Sequence, residues 1–247
     1  MERPKVALFV SASLDGRITL GSNLTMFDTD ERHESLGTRE CWKSFTERAK
    51  EMYRPQLMFD GSNMVVKAGA ELRELPPFEG DPGPLYHDFL PNEVVNDPAR
   101  NGWLGLVDGK GRFRNGYHGE GGWHIIHFTT LDAPPEYLTF LRRENIPYLV
   151  CGRGKVDLAG ILAKARDLLG VESAVTSSGG RLSGALLRAG LLDEVNVWLN
   201  PVVIGGFETP CLFDSPELAP DEWPTALELV SAEPFGDGGL WLRYRVK

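Results

Sequence analysis

The sequence predicts an α/β fold of three layers, with helices on both faces of a mainly parallel central sheet and an antiparallel hairpin at its C-terminal edge. Three observations predict it. Apolar, β-rich runs alternate with amphipathic stretches of about ten to fourteen residues, which is the pattern of βαβ units. The first run, "KVALFVSA", is apolar on both faces and therefore belongs inside a sheet covered on both sides. The close of the chain, "TALELVSAEPF", "GDGG" and "LWLRYRV", reads as two strands joined by a tight turn.

Taken in order, the opening strand is followed by "SLDGRITLGSNLTMFDTDERHESLG", rich in Gly, Asp, Ser and Thr and expected as a long exposed loop. Loops of that length commonly carry function or are disordered. "TRECWKSFTERAKEMY" places Trp42, Phe45, Ala49 and Met52 at helical spacing, with Pro55 as its stop. "QLMFDG" is a strand. Residues 75–122 are dense in Pro, Gly and charge and are expected as irregular structure interrupted by one strand, "WLGLVD"; Phe78, Tyr86, Phe89, Trp103 and Phe113 give it an apolar side to pack with. Regularity then returns. "WHIIHFTT" is a strand, "APPEYLTFLRREN" a helix with Pro in its first turn, "PYLVCG" a strand and "DLAGILAKARDLLG" a helix ending at Gly170. "ESAVTS" is a strand, "GRLSGALLRAG" a helix ending at Gly190, and "DEVNVWLNPVVIG" a strand.

Composition removes several function classes. The chain has 247 residues, 42% of them apolar and 25% charged, as in an ordinary globular protein with a full core. A formal net charge of −9 argues against a general nucleic-acid binder, which needs a basic face. The N-terminus reads as a strand and not as a signal peptide, no stretch approaches a membrane span, and three widely spaced cysteines without a CxxC pair suggest neither a disulfide framework nor a metal site. A cytoplasmic protein with no membrane or nucleic-acid partner is expected.

One motif carries chemistry. "AVTSSGGRLSGALL" runs from an apolar strand through two serines and two glycines into a helix. At such a junction the helix N-terminus points unpaired N–H groups outward, and glycine lets a phosphate reach the backbone. The same glycines would serve equally in a tight turn that needs φ > 0 and holds no ligand. Other motifs are weaker. "CGRGKVDLAG" lacks the third glycine of a dinucleotide fingerprint, and "GLVDGKG" falls short of a phosphate-binding loop. His124 and His127 lie three apart on a strand, on opposite faces, and read as ordinary core or surface histidines. No Ser-His-Asp or Cys-His set assembles from spacing, so if the protein is an enzyme a bound cofactor is expected to carry the difficult chemistry.

Several of these segments together resemble a known family. "VALFVSASLDGRIT", "LMFDGSNMVV", "WHIIHFTT", "SAVTSSGGRLSGALLRAGLLDEVNVWLNPVVIGG" and the closing hairpin are similar to the reductase domain of riboflavin biosynthesis, which has a dihydrofolate reductase-like fold. The resemblance runs over nearly all of residues 1–247, as a single reductase domain, and is poorest over 75–122. It implies an NADPH-dependent reductase, homodimeric, acting on a ribosylaminopyrimidine phosphate or a related pyrimidine- or pterin-like small molecule. It puts Ser177, Ser178, Gly179, Gly180, Arg181 and Leu182 at the cofactor pyrophosphate and adjoining ribose. Gly61, Ser62 and Asn63 match a second cofactor loop, and Thr129 and Thr130 a strand end near the adenosine. Ser13, Asp15 and Gly16 match the substrate loop, with Asp15 as the catalytic candidate; its plainer reading is a turn residue in "SLDG".

This chain also departs from the family. Ser178 stands where the family has Glu, Ser62 and Met64 where it has a basic residue and Thr, and the loop that carries a phosphate-binding arginine is replaced by "LRELPPFEGDPGPLYHDFL". Two alternatives therefore stand beside the reductase: a nucleotide-binding module of the same fold without catalysis, and a dihydrofolate reductase, for which Glu40 or Glu47 would have to supply the binding carboxylate. For assembly, Val195, Val197 and Leu199 form one apolar face of a strand expected near a sheet edge, where a second copy would cover it.

Overall fold

β1 (Lys5–Ser13) is buried at every position but its first, as an apolar composition on both faces requires. The computed structural model describes residues 2–25, 28 and 30–247; Met26, Phe27 and Thr29 of the expected long loop lie outside the described residues. That loop closes with a 3-10 turn, Glu31–Leu36. α1 (Arg39–Tyr53) starts at Thr38, whose hydroxyl accepts the Cys41 amide, and stops at Arg54 in the left-handed region just before Pro55. β2 (Leu57–Gly61) passes into a 3-10 turn, Ser62–Met64. The irregular segment holds a further 3-10 turn, Gly83–Tyr86, then α2 (Asn92–Val95), the expected strand β3 (Gly102–Val107) and a short β4 (Gly119–Glu120).

β5 (Trp123–Thr129), α3 (Pro135–Arg143), β6 (Tyr148–Val150), α4 (Leu158–Leu169), β7 (Ser173–Thr176) and α5 (Gly180–Arg188) follow in the expected order. Asp157 caps α4 by accepting the Gly160 amide, and Gly170 ends it in the left-handed region. β8 (Glu194–Asn200) is shorter than the sequence suggests, because Pro201 has no N–H to give a neighbouring strand. β9 (Leu227–Phe235) and β10 (Gly239–Val246) form the expected hairpin, with Gly236 and Gly238 at positive φ in its turn.

The chain gathers into two compact units, one of Pro55–Ala174 with residues 2–4 and the other of Lys5–Arg54 with Val175–Lys247. In the first, β2, β3, β5 and β6 are paired parallel in that order, and β4 lies antiparallel on the first half of β5. Tyr137, Leu138 and Leu141 of α3 pack with Ile125 and Tyr148, and Leu75, Phe78, Tyr86, Phe89 and Phe113 of the irregular segment lie against that core. The segment is also tied by hydrogen bonds. Tyr148 and Phe89 exchange backbone bonds of 2.9 Å, the Tyr148 hydroxyl donates to the Leu85 carbonyl at 2.7 Å, and Lys164 meets Asp88 at 2.9 Å.

In the second unit the order is β1, β8, β10, β9, with the first pair parallel and the others antiparallel. β8 is thus internal, and the expectation that it needs cover from outside is corrected: Val195 and Val197 are buried between its own neighbours. The edge is β9, where Leu227, Leu229 and Val230 are exposed. Phe9, Phe45, Trp198 and Trp241 form the aromatic core, so that of the helical stripe read in α1 the inner members Phe45 and Ala49 are buried while Met52 is exposed. Among the described residues no helix is long and apolar enough to cross a membrane.

Candidate active site

β7 delivers the chain into the glycine turn. Gly179 is the N-cap of α5 with φ −63° and ψ 161°, and Gly180 is its first residue; neither has positive φ. A left-handed turn is therefore not what selects these glycines. At Gly180 the reason is close packing, since a Cβ there would stand 2.1 Å from the Cys211 carbonyl oxygen and 2.5 Å from Asp214 Oδ2. Gly184, one turn later, lies against the same segment, its Cβ position 2.6 Å from the Asp214 carbonyl oxygen. Gly179 differs from both, because a Cβ there would meet nothing within 4 Å.

No side chain caps α5. Its first amides therefore have no side-chain acceptor, and an uncapped helix N-terminus with the positive end of its dipole suits an anion. Arg181 is exposed and has no ion-pair partner among the described residues. Ser178 is buried, its Oγ 3.0 Å from Ser183 Oγ, and the Ser183 hydroxyl donates to the Ser178 carbonyl at 2.9 Å. These two hydroxyls fix the turn from within. Ser177 and Leu182 are half-buried on either side of it.

At the end of β1, Ser13 is fully buried and donates its hydroxyl to Asp15 Oδ1 at 2.6 Å. The Asp15 carboxylate also accepts the amides of Ile204 at 3.1 Å and Gly205 at 2.7 Å. The Ser13 hydroxyl and then the Ile204 amide hold the Asp15 pKa down at about 2, so the group is ionised at neutral pH. Gly16 takes φ 76° in the Asp-Gly turn. Residues 202–214 continue from Asp15 toward α5: Leu14 donates to the Val202 carbonyl at 2.8 Å, Arg17 Nη1 to the Thr209 carbonyl at 2.6 Å, Leu212 to Gly16 at 3.1 Å and Asp214 to Gly180 at 2.9 Å. One strap thus joins the Asp15 loop to the first turn of α5, two sets of residues that in the sequence are far apart.

The other expected residues belong to the first unit. Gly61 opens the 3-10 turn after β2, Ser62 is buried and Asn63 is exposed. Thr129 and Thr130 are buried, their hydroxyls donating to the carbonyls of Asp108 at 3.2 Å and Gly109 at 2.9 Å. Their side chains therefore shape the end of β3. Beside them is a group that sequence reasoning missed. Asp108 Oδ2 accepts the amides of Arg112 at 2.7 Å and Phe113 at 2.8 Å, and the Tyr137 hydroxyl at 3.3 Å, while its buried Oδ1 has no partner among the described residues. His127 Nδ1 is 2.5 Å from the same Tyr137 hydroxyl.

Burial pushes the His127 pKa down to about 4 and that of Tyr137 well up. His127 is a core histidine, and His124 on the opposite face pairs with Asp97 at 3.1 Å. The Arg112 guanidinium donates to Asn63 Oδ1, to the Val66 carbonyl at 2.8 Å and to the Lys67 carbonyl at 2.6 Å. The string "VDGKGR" offered a signal for this group, but read as a phosphate-binding loop it failed for want of a residue.

Residues 120–240, with α5 and both strands that flank the strap, match the RibD C-terminal domain family. The chain carries a RibD C-terminal domain. Its mostly parallel sheet with antiparallel C-terminal strands and flanking helices is the fold expected from the sequence. Over 117 residues it is 33% identical to the 2,5-diamino-6-ribosylamino-4(3H)-pyrimidinone 5′-phosphate reductase of Methanothermobacter thermautotrophicus, a match covering 47% of this chain and 52% of that enzyme. The chain thus spans about half the length of the curated relative it matches.

Among solved structures, a pyrimidine reductase-like protein of Corynebacterium diphtheriae superposes with a TM-score of 0.63 at 14% identity, covering 99% of this chain and 92% of that one. RibD of Acinetobacter baumannii gives 0.60 at 14% identity, covering 99% of this chain and 58% of that one. At such identities the RibD likeness is one of fold.

Proposed function

We propose that this protein is an NADPH-dependent reductase acting on a ribosylaminopyrimidine phosphate or a closely related pyrimidine. The observation that carries the reading is the open start of α5, where Gly179 has free space above it and no side chain caps the helix amides. The pyrophosphate would lie against Ser177, Ser178, Gly179 and Gly180, with Arg181 and Leu182 beside the ribose; the family resemblance adds Gly61, Ser62, Asn63, Thr129 and Thr130 as cofactor residues. NADPH, when bound, supplies the hydride that turns the ribose carbonyl, or its Schiff base, into a ribityl chain. The resemblance to the archaeal enzyme supports that substrate class.

Ser13, Asp15 and Gly16 form the substrate loop. With its carboxylate ionised and held by the Ser13 hydroxyl and two amides, Asp15 acts as an acceptor that orders the loop, and not as a proton donor. The same reading includes a homodimer in the cytoplasm, supported by Leu229, Val230 and Leu240, which are exposed along the β9–β10 hairpin.

The test is substrate-dependent loss of NADPH absorbance across a panel of pyrimidine, pterin and folate substrates. Turnover with a ribosylaminopyrimidine phosphate is expected. Cofactor binding without turnover of any substrate would leave a nucleotide-binding module in its place. In Asp15→Asn, NADPH binding is expected to persist while kcat falls by about tenfold, because the substrate loop loses the carboxylate that orders it; unchanged turnover would leave Asp15 without a part in the reaction.

A further inference from the structure

The loop after β2 is poorly able to hold its own shape. Its 3-10 turn spans only Ser62–Met64, begins at Gly61 without a side-chain cap, and is closed by two backbone bonds to the Ser62 carbonyl, from Val65 at 3.1 Å and Val66 at 2.8 Å. Short turns of this kind are weak by themselves, since few bonds repay the dihedrals they fix. The residues that resemblance expects to be basic and hydroxyl-bearing here are Ser62 and Met64.

The missing cation comes from elsewhere in the chain. Arg112 lies 49 residues after Asn63, and its guanidinium collects three oxygens of this one loop: the Asn63 amide oxygen and the carbonyls of Val66 and Lys67. All three acceptors are neutral, and no carboxylate is paired with the guanidinium among the described residues. The bonds therefore both tie the loop and leave it beside a full positive charge, which favours a phosphorylated ligand.

Arg112 is itself held from behind. The β2–β3 pairing ends at Gly61 opposite Val107, so the chain leaves the sheet at Asp108, and there the buried carboxylate accepts the Arg112 and Phe113 amides. Gly111, at φ 63°, lies against the Tyr137 side chain, where a Cβ would come within 2.6 Å of two ring carbons. Backbone and side chain of residue 112 are thus fixed independently, the first by a buried anchor and the second by the loop it serves.

We infer that Arg112 is the positioning residue of the loop formed by Gly61, Ser62 and Asn63, holding it in the conformation that takes the cofactor. The inference rests on the reductase reading above. The experiment compares the full-length protein with Arg112→Ala and with Arg112→Lys, which keeps the charge but cannot span three oxygens. Calorimetric titration with NADPH and with NADH, steady-state kinetics and thermal unfolding are measured on each. Because the arginine acts through the loop, both cofactors should weaken by about tenfold in Arg112→Ala, with KM for NADPH rising likewise and kcat unchanged.

Arg112→Lys should recover little of the loss, and millimolar ethylguanidinium should restore binding to the alanine variant, a rescue that a general loss of stability would not show. Full NADPH affinity in Arg112→Ala, or a fall in kcat with KM unmoved, would overturn the inference. Should the alanine variant fail to fold, wild-type affinity in a folded Arg112→Lys overturns it and a tenfold loss there supports it. A wild-type protein that binds no NADPH would sink the reductase reading instead, and is told apart by that first titration.

Discussion

The turn at the start of α5 and the loop after β2 keep their shapes in opposite ways. In the turn, glycines let backbone meet backbone: the strap at Cys211 and Asp214 presses on Gly180 and Gly184, and the hydroxyls of Ser178 and Ser183 close it from within. In the loop, long side chains from distant positions do the holding, with Arg112 reaching three oxygens and Asp108, Tyr137 and His127 linked behind it by hydrogen bonds. A backbone-built site tolerates no added atom where the chains touch, whereas a side-chain-built site responds to charge and protonation. The two should therefore break under different perturbations.

The largest effect is expected inside the turn itself. Gly180→Ala forces a methyl group against a carbonyl oxygen that sits in packed backbone, and should cost about 3 kcal/mol of stability. Its neighbour makes the control. Gly179→Ala adds the same atom in open space at an ordinary φ, so unfolding by urea should change by less than about 1 kcal/mol while NADPH affinity falls. Equal destabilisation of the two variants would refute the division of roles between the adjacent glycines.

The loop side should carry a pH dependence that the turn lacks. His127 is neutral in the folded protein with a pKa of about 4, against about 6.5 when unfolded. Between those values the unfolded chain binds the proton that the folded one refuses. Stability is thus complete above pH 6.5 and is lost as the pH falls toward 4, by about 3 kcal/mol in all. The groups facing His127 are the Tyr137 hydroxyl, the Asp108 carboxylate beyond it and the Phe113 ring. Denaturant midpoints measured from pH 7 to pH 4 should decline in the wild type and much less in His127→Phe. Identical slopes would mean that another group titrates.

A smaller effect separates the two cations. Arg181 lies in the first turn of α5, where a positive side chain opposes the helix dipole and calls for an anion. If that anion is the 2′-phosphate of the cofactor, Arg181→Ala removes about 1.5 to 3 kcal/mol of charge-assisted hydrogen bonding, and NADPH binding weakens ten- to a hundredfold. NADH, which has no such phosphate, should be unaffected, in contrast to the equal loss expected for Arg112→Ala. Equal weakening of both cofactors in Arg181→Ala would return Arg181 to the solvated surface.

The alternation of strands and helices, the helix stop at Gly170, the C-terminal hairpin and the glycine turn were all legible in the sequence, because each depends on neighbours within a few residues. Periodicity and capping are local, and local interactions leave a local pattern. What the glycines were for was not legible, since a need for positive φ and a need for close approach select the same residue; only the nearness of Cys211 and Asp214 to Gly180, with the empty space at Gly179, distinguishes them.

The interior place of β8 was likewise hidden, for an apolar strand reads the same whether its neighbours come from its own chain or from another copy. The Asp15 strap and the Arg112 clamp belong to this second kind. They pair residues separated by 189 positions between Asp15 and Ile204 and by 49 between Asn63 and Arg112. A hydrogen bond across such a separation is paid for by the folding of everything between its ends, and so nothing in the flanking sequence records it.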